Sequence, residues 1–181
     1  MERAELVAQA LVFLVRVTDE DVPLDEALNA LSALAEQFQS GAIVGGTLID
    51  SGSATFDRVV YPSLRASPFS TLRHVPISSP MFGTCAEAVR EGKTISCSDT
   101  ATEARFDMSW RSLYLGLGIH SVQSAPVFSF DGRSLGTFVV ALRQPHASFD
   151  MEMTGLGVYA MRTILQKPSY HRSGFHGHPT T

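Results

Sequence analysis

Apolar residues recur at helical spacing in two stretches near the start of the chain. In "ERAELVAQALVFLVRV", Leu6, Ala10 and Leu14 fall four residues apart among good helix formers, which predicts a helix from about Glu2 to Val17. After the acidic connection "TDEDVP", Leu24, Leu28, Leu31, Ala35 and Phe38 trace one face of a second helix, with acidic residues in its first turn and Gly41 just past its end. Beyond Gly41 the period changes. "AIVGGTLID" and "FDRVVYP" carry the β-branched and aromatic residues of strands, and "DSGSAT" between them has turn composition, so the pair reads as a hairpin. Gly45 and Gly46 weaken the first of these strands or mark a bulge.

The stretch Pro62 to Pro80 is punctuated by proline and serine and reads as irregular, with a short helix near Phe69 to Arg73. Thr84 followed by Glu87 has the pattern of a capping box, predicting a helix from Cys85 to Arg90 with Gly92 as its stop. Lys93 to Cys97 then reads as a strand, and Asp107 as the cap of a helix on which Trp110, Leu113 and Tyr114 share a face. "IHSVQSAPVFSF" and "SLGTFVVALR" are strands joined by "DGR", the strongest hairpin signal in the chain. Asp150 caps a last amphipathic helix with Met153, Leu156, Ala160 and Ile164 on one side, ending before Pro168. The order of elements predicts an α+β domain: an antiparallel sheet with long terminal helices on one face and short helices with loops on the other.

Composition sharpens this reading in three places. A chain of 181 residues with 44% hydrophobic residues has room for one core, and the expected organisation is an N-terminal dimerisation or linker helix over 1–20, a globular domain over 21–166 and a disordered tail over 167–181. A net charge of -4 without a basic run argues against nucleic acid and against an anionic membrane surface. The apolar run "LVFLV" is too short to span a bilayer. With two cysteines and no secretion signal, a cytoplasmic setting and free thiols are expected.

Three local patterns carry a family resemblance: "PLDEALNALSALAEQF", "FGTCAEAVREGKTISCSDTATEARF" and "LGIHSVQSAPVFSFDGRSLGTFVVAL". Between about Leu24 and Ile164 the chain resembles a GAF domain. The resemblance implies a six-stranded antiparallel sheet, a small-molecule pocket over one face and homodimerisation through the terminal helices. Fold alone does not fix function.

For the chemistry, the expectation is a non-catalytic sensor in signal transduction whose ligand is a metabolite, an anion or a haem-type cofactor. The predicted ligand-binding residues are Phe82, Thr84, Cys85, Trp110, Tyr114, His120 and Phe138. Trp110 and Tyr114 offer aromatic walls with polar tips, Thr84 to Ala86 a helix N-terminus for an anion, and His120 an imidazole for haem or an anion. The cofactor is otherwise left unnamed. "SPFSTLRH" and "DTATEARFDMSW" are the segments expected to move, and a separate histidine kinase or other signalling protein is the expected listener if the chain stands alone. Cys85 matches a cysteine position of the free methionine sulfoxide reductases within this family, and the helix N-terminus would favour its thiolate. Those enzymes carry a further cysteine before the penultimate strand, where "MSWRSLYLGLGIHS" has none. A thiol-dependent reductase using Cys85 and Cys97 is therefore the alternative, together with a ligand-free docking module that uses the face of Leu6, Leu14, Leu28 and Leu31. Neither the signature of cyclic-nucleotide GAF domains nor the late Cys-His pair of bilin-attaching ones is present. The tail histidines 171, 176 and 178 lack a partnering cysteine or carboxylate at metal-site spacing.

Overall fold

The computed structural model describes residues 3–50, 52–64, 73–78, 83–168 and 170. The two N-terminal amphipathic segments form α1 (Arg3–Asp19) and α2 (Leu24–Phe38), and the alternating segments that follow form β1 (Ile43–Asp50) and β2 (Thr55–Val60). Then come α3 (Gly83–Glu91), β3 (Ile95–Cys97), α4 (Met108–Gly116), β4 (Ser121–Phe128), β5 (Ser134–Leu142) and α5 (Met151–Leu165). Among the described residues the strands make one antiparallel sheet in the order β2-β1-β5-β4-β3. The resemblance implied six strands. In place of a sixth, the segment around Pro76 bridges Thr55, and backbone bonds tie Phe56 to Val75 and to His74 and Ala54 to Ile77, so this segment extends the β2 edge.

Two of the predicted caps form as the spacing demands. The Asp107 carboxylate accepts the Trp110 N–H at 2.9 Å and the Asp150 carboxylate accepts the Met153 N–H at 2.9 Å, each satisfying a first-turn donor. The capping box at Thr84 does not form. The helix starts at Gly83, so Thr84 lies inside its first turn and bonds Ser124, while Glu87 pairs with Arg105. The predicted strand Lys93 to Cys97 shortens to Ile95–Cys97, because only these residues find partners on β4. The bulge of β1 falls between Leu48 and Ile49 and not at its glycines. Phe69 to Leu72 of the predicted helix and the 171–181 part of the tail, with its three histidines, lie outside the described residues, and Arg73 itself is in a turn.

The sheet separates two cores. On one face, α2 and α5 cover Val44, Leu48, Val127, Phe138, Val140 and Leu142; on the other, α3 and α4 cover Ile43, Ile49, Val122, Val139 and Ala141. Alternation along β5 assigns each residue to its side, as a strand period of two requires. Leu28 and Leu31 are buried in the first core, Leu14 packs against it, and Leu6 of α1 is buried as well. Among the described residues, no helix is long and apolar enough to cross a membrane.

Candidate functional site

A row of hydroxyl groups crosses the middle of the sheet on the α3 and α4 side. Thr47 on β1 and Thr137 on β5 are opposite one another in the ladder, and their Oγ1 atoms are 2.7 Å apart. Next along, Ser124 of β4 lies 2.8 Å from Thr84 Oγ1 and 3.4 Å from Cys85 Sγ, both at the start of α3. Thr47, Thr84, Ser124 and Thr137 are all at most 1% exposed. Hydroxyls out of water need partners, and here they find them in one another.

Aromatic side chains enclose this floor. α4 brings Trp110 and Tyr114 one turn apart, with ring centroids 5.4 Å from each other, and Phe106 in the preceding loop lies 5.2 Å from Tyr114 and 6.4 Å from Trp110. The Tyr114 hydroxyl hydrogen-bonds Thr84, joining the wall to the floor. Tyr61, just past β2, lies over Gly45 of β1. Any side chain at Gly45 would overlap its ring and the Val60 carbonyl, which explains a glycine in the middle of a strand.

The cluster is electrically neutral. Burial pushes the phenols of Tyr61 and Tyr114 well above their ordinary value, and it raises the Cys85 thiol despite the hydroxyls of Ser124 and Thr137 beside it. A helix N-terminus favours thiolate, but desolvation outweighs it here. The N-terminus of α3 therefore does not lower the Cys85 thiol. Cys97, buried on β3, is pushed up to about 12, by burial first and by the Glu103 carboxylate second. Both thiols are free. Ion pairs sit at the rim, where Arg105 joins Glu87 of α3 to Glu103 at 2.6 Å each and donates to the Ser96 carbonyl at 3.0 Å.

Of the predicted residues, Thr84, Cys85, Trp110 and Tyr114 come together. Phe138 does not. Its neighbour Thr137 faces the floor, so Phe138 points to the opposite core, where its ring packs on Gly157 of α5. His120 is half-buried ahead of β4, held by its backbone: its N–H donates to the Leu142 carbonyl and its carbonyl accepts the Thr100 N–H. Phe82 lies outside the described residues. Haem fits this arrangement poorly, because a flat macrocycle over the sheet would have to displace three aromatic rings already in mutual contact. Among the described residues, no group of three His, Cys, Asp or Glu side chains is placed to hold a metal. The sequence reading missed Thr47, Tyr61, Ser124 and Thr137. Their signal was the strand period, which puts Thr137 and Val139 on the face opposite Phe138 and Val140.

Comparison with solved structures agrees with this architecture. A free methionine-R-sulfoxide reductase from Neisseria meningitidis, in complex with its substrate, superposes with a TM-score of 0.63 at 20% identity, over 92% of this chain and 94% of that one. A GAF sensor protein from Burkholderia vietnamiensis, itself described as putative, gives a TM-score of 0.65 at 18% identity, over 96% of this chain and 100% of its own. A further GAF domain structure gives 0.69 at 15% identity, over 92% and 89%. At such identities the likeness speaks for the fold alone. No curated protein matches the sequence. The family model of the GAF domain matches residues 17–160, a span that holds the whole sheet, α2, α3 and α4 and most of α5. The chain belongs to the GAF domain family.

Proposed function

We propose that this chain is a non-catalytic sensory domain that takes a small, uncharged, hydrogen-bonding molecule over the hydroxyl floor. The observation that carries this reading is the meeting of Thr47, Thr84, Ser124 and Thr137 under Trp110 and Tyr114, without a charged side chain among them. An anion there would have only the N-terminus of α3 to balance it, whereas a neutral donor-acceptor group exchanges its bonds with those hydroxyls at little electrostatic cost. Flat rings above the floor suit a planar ligand. Signalling then needs different ligand affinity in two conformations, and the segment Asp99 to Trp110 that carries Phe106 is the part to rearrange. A cytoplasmic setting, a homodimer and a separate signalling protein as listener belong to this same reading.

The test is a native mass spectrum and an absorption spectrum of the protein purified from cells, followed by thermal melts against uncharged amides and nucleobases. A retained mass lost on denaturation, or a saturable rise in melting temperature that disappears in Ser124→Ala, supports the reading. No retained mass and no shift with any neutral compound overturns it.

The likeness to a free methionine-R-sulfoxide reductase favours a second reading, thiol-dependent reduction through Cys85 and Cys97. The raised thiols count against it. Iodoacetamide at pH 8 should leave both cysteines unmodified in the native protein and label both after denaturation. Rapid native labelling, with turnover of free methionine-R-sulfoxide that Cys85→Ser abolishes, would establish the enzyme instead.

A further inference from the structure

On the other side of the molecule, α1 packs against α2 and α5 through one side. Leu6 and Val17 are its buried residues and Phe13 and Leu14 pack against the core, while Leu11, Val12 and Val15 are 58%, 69% and 60% exposed. Polar contacts pin both ends. Arg3 bonds Asp150 at 2.8 Å and Glu152 at 2.6 Å at the start of α5, and the Lys167 ammonium donates to the Val17 carbonyl at 2.8 Å and to the Glu20 carbonyl. These contacts hold a helix of 17 residues, a stiff rod of about 25 Å, at both ends. Beneath its middle is a cavity of about 110 Å³ between α1, α2 and α5.

The cavity exists because small side chains meet there from all three helices: Ala10, Ala35 and Ala160. Leu14, Phe38 and Leu156 supply the rest of an apolar wall, and no charged residue lines it. Water gains nothing from such a space, because it finds too few hydrogen-bond partners. An engineered cavity of about 150 Å³ with comparable aliphatic and aromatic walls stays dry and binds benzene.

We propose that this cavity is a second ligand site, taking an apolar group about the size of a benzene ring or the end of a short alkyl chain. The half-exposed side chains of Leu11 and Tyr159 stand at its edge, so a longer molecule can leave its tail along α1. Its occupant wedges between the two terminal helices and α2, and fills space that the chain itself leaves empty. The site is independent of the hydroxyl floor, which lies across the sheet.

Toluene is the probe, with phenol as its polar counterpart. Thermal melts should show a saturable rise of about 2–4 °C with toluene, and a much smaller one with phenol, whose hydroxyl would be left without a partner in the cavity. Ala160→Leu fills the space and should abolish the toluene shift; should that variant not fold, Ala10→Leu on the more exposed helix decides. An unsaturable or absent response to toluene overturns the proposal, as does an equal shift in both filled variants. Native mass spectra at the same concentrations separate the remaining occupant: a dimer that forms without toluene and blocks its binding assigns the space to a second copy of the chain, and the proposal falls.

Discussion

The two faces of this sheet are built from alternate residues of the same strands, and they do opposite things. On the α5 side, Phe138, Val140 and Leu142 of β5 and Val127 of β4 are packed by aliphatic residues, and the fit is close enough that Gly157 is required where α5 crosses the Phe138 ring. On the α3 side, the same strands present Thr137 and Ser124, which pair with Thr47, Thr84 and Cys85 beneath a lid of aromatic rings. Apolar burial on the first face stabilises the fold without direction. On the second, each buried hydroxyl must be satisfied by a particular neighbour, which makes that face specific and less forgiving.

Substitutions can break this contrast, and the largest effect is expected on the apolar face. Phe138→Ala should cost about 3–5 kcal/mol in denaturant unfolding, since it removes a fully buried ring and leaves a void. Gly157→Ala should cost about 1–3 kcal/mol by driving a methyl into that ring, whereas Gly155→Ala, two residues away with open space, should gain about 0.5–1 kcal/mol from helix propensity. If both alanines behave alike, the close packing of Phe138 is not what fixes Gly157.

The polar face should respond to pairing and not to volume. Thr137→Val leaves the Thr47 hydroxyl buried without its partner and should cost about 1–3 kcal/mol, while Thr47→Val combined with Thr137→Val should come back close to the wild-type stability. A double-mutant cycle by chemical denaturation measures this. Additive losses would show that the two hydroxyls do not depend on each other.

The smallest effect is at the rim. The Arg105 guanidinium, hydrogen-bonded to Glu103, holds that carboxyl down at about 2. A depressed carboxylate contributes stability that is present above its unfolded value near 4.5 and is lost as the pH falls towards 2. Arg105→Ala should therefore cost about 0.5–1 kcal/mol at neutral pH, discounted because the pair is partly exposed, and the difference should vanish near pH 2. A difference independent of pH would assign Arg105 to packing and to its bond with the Ser96 carbonyl instead.

Much of the fold was legible along the chain because its signals are local. The caps Asp107 and Asp150 lie three residues from the N–H groups they accept, and the strand and helix periods follow from backbone geometry. Thr84 and Glu87 had the right spacing for a cap and yet did not make one, because partners distant in sequence, Ser124 and Arg105, compete for them. The candidate site was legible in part. Cys85, Trp110 and Tyr114 stand on short helices whose inward faces the spacing fixes, but the floor beneath them depends on which way each strand faces.

The sequence by itself determined the order of elements, the α+β class and the family, since these rest on periodicity, turn chemistry and motifs read within short windows. Only the tertiary structure decided that Phe138 belongs to one core and Thr137 to the other, and that a helix N-terminus fails to make Cys85 acidic. It also decided that α1 spans a void. The physical reason is common to all three: strand pairing, desolvation and packing are set by neighbours far away in the chain, whose approach no local pattern encodes.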